Sequence, residues 1–368
     1  MTFRPLSRWR NGSSTCWTTL GSAKDGFYGD GSACVIMQLI FVLLLFFMFP
    51  ATARAQASFS LSMPVACELG KTCWLVNYPD TDRTENSAKD FTCGPLSYDT
   101  HDGTDFGIRD LVAMKTGVPV RAAAAGTVAR YRDGVADRMP SKDDIKTMLA
   151  AKKGCGNGVV LDHRNGWQTL YCHMKKNSLA VKAGQAVKQG DQLGLVGHSG
   201  IAEFPHLHFA VFKDGNVIDP FSGQGLDKPC GTIREILWSP PLAYEPVSIY
   251  AAGFQSGTPS IENLSIDASS PDTLHRGDSK ALVFWIMIYG AAAGDRIHMD
   301  IIGPGDAVVV RRDTVQDKIC ARQFYYVGQK FGEALAPPGH YTGVVTLSRT
   351  DTDGKTLIRT REVNVTVR

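Results

Sequence analysis

Between residues 98 and 222 the chain does not run far without a glycine. Its apolar stretches are short: "AGTVARY", "GVVLDH", "WQTLYCHM", "DQLGLVG" and "PHLHFAVF". Runs of this length bounded by turn residues read as strands. Asn165-Gly166 separates two of them and Asp214-Gly215 follows Phe212, and both pairs suit the left-handed dihedrals of a tight hairpin turn. The segment therefore reads as a glycine-punctuated antiparallel β core. One stretch departs from it, "SKDDIKTMLAAKKG". Ser141 is placed to cap a helix, Asp143 and Asp144 fall in its first turn, Lys152 and Lys153 in its last, and Gly154 just beyond. A short helix on an excursion between strands is expected there.

A chain of 368 residues exceeds one ordinary domain, so two globular units are expected. After Trp238-Ser239-Pro240-Pro241 the composition shifts to runs such as "ALVFWIMIYG", "RIHMDIIGP", "ARQFYYVGQ" and "GHYTGVVTLSRT". Several strands spaced by turns over the last third suggest an immunoglobulin-like sandwich. Its closing run alternates Val363, Val365 and Val367 with Asn364 and Thr366, as a half-buried strand should. No cluster of nucleophiles or metal ligands occurs there, so this part reads as a binding or spacer module. The fold class is mostly β: the antiparallel core, then the immunoglobulin-like β-sandwich. The boundaries are residues 1–55, a signal-like segment; 56–97, an irregular cysteine-containing segment; 98–238, the β core; and 239–368, the sandwich.

Charge says little about partners. The formal net charge is +3, and no block of like charges marks a nucleic-acid surface or a polybasic membrane patch. From Val35 to Phe49 every residue is apolar except Gln38, and Pro50 and Ala53-Arg54-Ala55 follow. That pattern reads as a secretory signal, too short for a stable membrane span of roughly 20 residues. Beyond it lie Cys67, Cys73, Cys93, Cys155, Cys172, Cys230 and Cys320, a usage that fits an oxidising compartment, periplasmic or secreted. The number is odd, which leaves a thiol free or paired between molecules. Cys155 and Cys172 flank a predicted hairpin and are expected to pair.

The chemistry concentrates in three stretches. In a strand residues i and i+2 share a face, so His206 and His208 of "PHLHF" project together while Leu207 and Phe209 face the core. Upstream, "HDGTD" offers His101 and Asp105 four apart, with Gly103 permitting a tight backbone path. His173 of "LYCHM" ends another strand. Four imidazoles and one carboxylate in one small β domain form the inventory that zinc catalysis needs: three protein ligands, an open position, and outer groups that manage protons.

In that order, "HDGTD", the Tyr-x-His of Tyr171 to His173, and "PHLHF" resemble the lysostaphin/LytM-type zinc metallopeptidases, the M23 family. The intervening "VPVRAAAAGTVARY", "VKAGQAVKQGDQLGLVGHSG" and "VIDP" fit its glycine-punctuated core. The resemblance covers roughly residues 98–222, a third of the chain. It implies that His101, Asp105 and His208 hold Zn2+ and that His173 and His206 are the unligated catalytic pair. It also implies a secreted metalloendopeptidase that hydrolyses stem or cross-link peptides of bacterial peptidoglycan with a metal-activated water. The alternative is a catalytically silent relative that binds peptidoglycan or activates another hydrolase; silent relatives typically lose ligands, and here all positions are filled. A carrier barrel resembling lipoyl domains is a third reading, but no lysine sits at an obvious hairpin tip. Two positions depart from the family pattern: "IAEF", Ile201 to Phe204, replaces a small-residue stretch, and Ala210 stands where Glu often follows "HLHF". His163 and His198 are read as surface or structural, and Asn157 matches a recurrent family position near the groove that strand-turn chemistry explains equally well.

Overall fold

Asn165 and Gly166, with φ of 61° and 75°, and Asp214 and Gly215, with φ of 49° and 81°, all take left-handed backbone. These are the conformations that let two-residue turns follow the strand twist. The computed structural model describes residues 59–276, 281–331, 336–351 and 353–368, so the signal-like stretch 1–55 lies outside the described residues. Phe59–Arg368 form one compact unit. Among the described residues no helix is long and apolar enough to cross a membrane.

Among the described residues the N-terminal part carries eleven strands: β1 (Cys73–Asn77), β2 (Thr104–Ile108), β3 (Pro119–Arg121), β4 (Gly126–Arg132), β5 (Asn157–Asp162), β6 (Trp167–Met174), β7 (Ala186–Val187), β8 (Gln192–Leu195), β9 (His206–Lys213), β10 (Asn216–Asp219) and β11 (Gln224–Gly225). Nine of them make one sheet in the order β1-β2-β9-β6-β5-β4-β7, with β10 and β11 continuing from β9; β3 and β8 pair separately. The alternation in "PHLHF" is realised as expected. Leu207 and Phe209 join Phe106, Tyr171 and Val211 in the main hydrophobic core, leaving His206 and His208 to the other face.

The segment read as irregular carries one regular element, β1. Its five residues are all buried, so no polar alternation marks it in the sequence. It pairs antiparallel with β2, Asn77 opposite Asp105. The "SKDDIKTMLAAKKG" stretch forms a helix, Lys142–Ala150. Ser141 Oγ accepts from Asp144 N and Asp144 Oδ2 accepts from Ser141 N, a reciprocal capping box. The helix ends before Lys152, whose φ of 52° is already left-handed.

Beyond residue 247 the chain forms further strands: β12 (Ser248–Gln255), β13 (Thr273–Leu274), β14 (Ala281–Ala291), β15 (Arg296–Ile302), β16 (Val308–Val315), β17 (Cys320–Lys330), β18 (Gly339–Thr350) and β19 (Thr356–Val367). They build a three-stranded sheet, β12-β14-β17, and a five-stranded sheet, β13-β19-β18-β15-β16. Phe284, Ile286 and Ile288 of the first share a core with Ile297, Met299, Val345 and Val365 of the second. Alternation along β14 sends Trp285, Met287 and Tyr289 the other way. There they pack with Tyr250 against Trp74, Val76 and Phe204, and the Tyr289 hydroxyl donates to Ile108 O at 3.2 Å. Phe204 of "IAEF" is thus a docking residue for the C-terminal sheets.

Among the described residues three disulfides form, Cys67–Cys73, Cys93–Cys230 and the expected Cys155–Cys172, and Cys320 is free. Cys93–Cys230 spans 137 residues and Cys155–Cys172 spans 17. Loop-closure entropy alone then assigns about 5 kcal/mol of stabilisation to the first and about 3 kcal/mol to the second.

Candidate active site

Register builds the site. Asn77 lies opposite Asp105, Asp105 opposite His208, and His208 opposite Cys172. Directly opposed residues of antiparallel strands share a face, so these four form one row across β1, β2, β9 and β6, on the side away from the core. His101 enters from the loop before β2. Gly103 is required between them: a Cβ there would lie 2.6 Å from the His208 ring.

His101 Nε2 lies 3.2 Å from Asp105 Oδ1 and 3.1 Å from His208 Nδ1, and His208 Nδ1 lies 3.1 Å from the same Asp105 oxygen. All three side chains are buried. Two nitrogens and one oxygen at these separations approach the edges, about 3.3 Å, of a tetrahedron with arms of about 2.0 Å. The donor set fits a zinc-sized cation, and it is the one such group of three among the described residues.

The outer contacts fix which atoms face inward. His101 Nδ1–H donates to Tyr78 O at 2.8 Å, leaving Nε2 as the donor to a cation. Asn77 Nδ2 donates to Asp105 Oδ2 at 2.8 Å, so Oδ1 faces the cluster. His208 Nε2 lies 3.1 Å from Asp102 Oδ1, so Nε2 carries the proton and Nδ1 faces inward. Partners of this kind orient metal-ligating imidazoles and raise their basicity. Burial pulls the His208 pKa down, but Asp102 and Asp105 outweigh it and push it up to about 10. For Asp105 burial works upward, yet the His101 and His206 charges and the bonds from His101 and His208 hold it well below the usual carboxylate range. Both carboxylates favour positive charge at this point.

The remaining pair differs in kind. His206 Nδ1–H donates to Phe204 O at 2.8 Å and His173 Nδ1–H to Ser199 O at 2.7 Å. Their rings lie 4.7 Å apart, and the His173 ring is 6.0 Å from His208. Burial lowers both pKa values, His173 well below the ordinary range with His206 and His208 adding to the effect. Both are neutral near pH 7, each with an unprotonated Nε2.

All five residues singled out in the sequence therefore converge. Sequence reasoning missed Asn77, Asp102 and Tyr98, whose ring stacks on His101 at 4.3 Å. Asp102 stood inside "HDGTD", but nothing in the spacing tied it to His208. His163 bonds Ala125 O and Thr169 Oγ1, a structural contact as expected. His198 is buried on Ala202 O, and burial together with the His206 charge lowers its pKa to about 4. Asn157 ties Val135 and Met174 together.

Comparison with known proteins points to the same stretch of chain. A profile of Peptidase family M23 matches residues 99–220. Over 124 residues the chain is 34% identical to an uncharacterized metalloprotease of Haemophilus influenzae, covering 33% of this chain and 20% of that protein. Over 122 residues it is 33% identical to the DD-carboxypeptidase/endopeptidase Mpg of Neisseria meningitidis, covering 33% and 22%. The chain thus spans about a fifth of the length of the curated relatives it matches. Among solved structures, the catalytic domain of lysostaphin from Staphylococcus simulans is 27% identical, with 33% of this chain and 76% of that chain covered and a TM-score of 0.24.

Proposed function

Because residues 99–220 belong to peptidase family M23, we propose that this chain is a zinc-dependent endopeptidase of bacterial peptidoglycan, cutting stem or cross-link peptides in the periplasm or outside the cell. The observation that carries the proposal is the juxtaposition of a buried three-donor cluster with two neutral imidazoles on one sheet face. A silent binding protein would need the first of these at most. The disulfides suit an oxidising compartment, and the run from Val35 to Ala55 would act as the export signal.

His101 Nε2, Asp105 Oδ1 and His208 Nδ1 would hold the zinc. Zinc so bound supplies Lewis acidity, lowering the pKa of water and polarising the scissile carbonyl. His173 and His206 manage the protons. With each Nδ1–H engaged by a carbonyl, Nε2 of either ring starts as an acceptor. Either ring can take a proton from the attacking water onto Nε2 and pass that same proton to the departing amine. Burial keeps both ready to accept at neutral pH. Residues 239–368 are read as an immunoglobulin-like sandwich, a reading supported by two sheets that share one core. Its docking on Phe204, whose carbonyl orients His206, gives it a part in shaping the site wall.

Digestion of purified muropeptides with and without a chelator, followed by mass analysis, tests the proposal. Hydrolysis that stops on chelation and returns with zinc is expected. Binding without hydrolysis in the zinc-loaded protein would refute it.

A further inference from the structure

Strand β6 breaks its own alternation at the site. Cys172 lies opposite His208 and so points to the face of the donor row. A regular strand would send the next residue, His173, to the opposite face beside Tyr171, into the core. The imidazole instead stands 4.7 Å from His206. Two features of the backbone bring it there. The register between β5 and β6 slips, Val159 facing Tyr171 but Asn157 facing Met174, which leaves one extra residue on β6. His173 itself has a φ of 59°. This is a β-bulge with a left-handed residue, a device that re-aims a side chain.

A left-handed backbone at a residue with a Cβ costs free energy and persists only where its surroundings impose it. Cys155 holds this point of the chain in two ways. Its carbonyl accepts from His173 N at 2.9 Å, and its sulfur is bonded to Cys172, the residue before. Two consecutive residues of the bulge are therefore tied to one point. The stretch "CGNG", 155 to 158, makes room for this: a Cβ on Gly158 would lie 2.8 Å from Cys155 Sγ, and one on Gly156 would lie 2.4 Å from Ser199 C. Ser199 is the residue whose carbonyl accepts from the His173 ring.

We propose that the Cys155–Cys172 disulfide is a positioning device for His173, holding the bulge that turns this imidazole out of the core face and onto the face of the zinc ligands. The inference rests on the functional reading above only for the step that His173 serves. It separates this bridge from Cys93–Cys230, which spans 137 residues against 17. On loop entropy the longer tie contributes more to stability. The shorter one acts on turnover.

The test compares Cys155→Ala/Cys172→Ala with Cys93→Ala/Cys230→Ala in the full-length zinc-loaded protein. For the first variant kcat on purified muropeptides should fall about tenfold or more, the scale of a mispositioned proton-transfer group, with KM and zinc affinity kept within about twofold. For the second, Tm should fall further while kcat at a temperature where it stays folded is unchanged. Retained kcat in the first variant overturns the proposal, as does a loss shared equally by kcat, KM and zinc affinity. NMR gives a readout independent of activity: the His173 Cα and Cβ shifts should leave their left-handed values in the first variant, while those of His101 and Asp105 stay. Unchanged His173 shifts contradict the inference even if the wild-type protein cleaves nothing, an outcome that would sink the functional reading alone. If the alanine pair does not accumulate as folded protein, Cys155→Ser/Cys172→Ser is measured against the same expectations.

Discussion

The two halves of the site sit within a few ångströms of each other and are built on opposite principles. His101, Asp105 and His208 are oriented by the Tyr78 carbonyl, the Asn77 amide and the Asp102 carboxylate, with Asn77, Asp105, His208 and Cys172 in one cross-strand row. Two carboxylates face His208 and push its pKa up to about 10. His173 and His206 are fixed by backbone carbonyls at irregular points of the chain, a bulge and a loop end. Burial makes both rings harder to protonate. One half favours a cation and the other favours neutral imidazole, a contrast that depends on which partners line each pocket, since both halves are buried. On the proposed reading the difference separates metal binding from proton transfer, and it can be broken one half at a time.

Single substitutions should show the largest effect. His208→Ala removes one donor of three and should abolish zinc binding and hydrolysis together, whereas His206→Ala should leave zinc affinity near wild type while hydrolysis falls at least about 100-fold, the range of a lost general acid–base group. Zinc competition against a chromophoric chelator, run beside muropeptide digestion, separates the two. Loss of zinc from His206→Ala would erase the distinction between the halves.

A smaller effect sharpens the cation-favouring half. His208 must give up a proton before Nδ1 can ligate, and its raised pKa means that it is protonated at pH 7 in the zinc-free protein. Zinc affinity should therefore rise about tenfold per pH unit through the neutral range. In Asp102→Asn the carboxylate on Nε2 is lost, the His208 pKa falls, and the pH dependence of zinc affinity should move to lower pH. Chelator competition across pH in both proteins reads this directly. Zinc affinity independent of pH, or unaltered in Asp102→Asn, would mean that Asp102 does not act on His208.

Much of this site is legible in the sequence, for reasons tied to particular residues. The period of two carries His206 and His208 to one face, and glycine chemistry places the turns at Asn165-Gly166 and Asp214-Gly215. Ser141 and Asp144 mark a helix start that the capping box fulfils. What stays hidden depends on pairing across the chain. β1 is buried on both faces and shows no alternation, so neither Asn77 nor the Tyr78 carbonyl can be placed beside Asp105 and His101 from local pattern. Asp102 meets His208 only because β2 and β9 are neighbours in one register. The bulge at His173 is likewise invisible locally, since "YCHM" reads as an unbroken strand. Phe204 reads as a change in the groove wall and is also the contact through which the C-terminal sheets reach the site.

Diffraction data collected on both sides of the zinc absorption edge, from crystals of the zinc-loaded protein, test the central claim most directly. A single anomalous peak about 2.0 to 2.2 Å from His101 Nε2, Asp105 Oδ1 and His208 Nδ1, with His173 and His206 outside bonding distance, is the expected result. A peak elsewhere, or none with Asp105 turned away from both imidazoles, would contradict it.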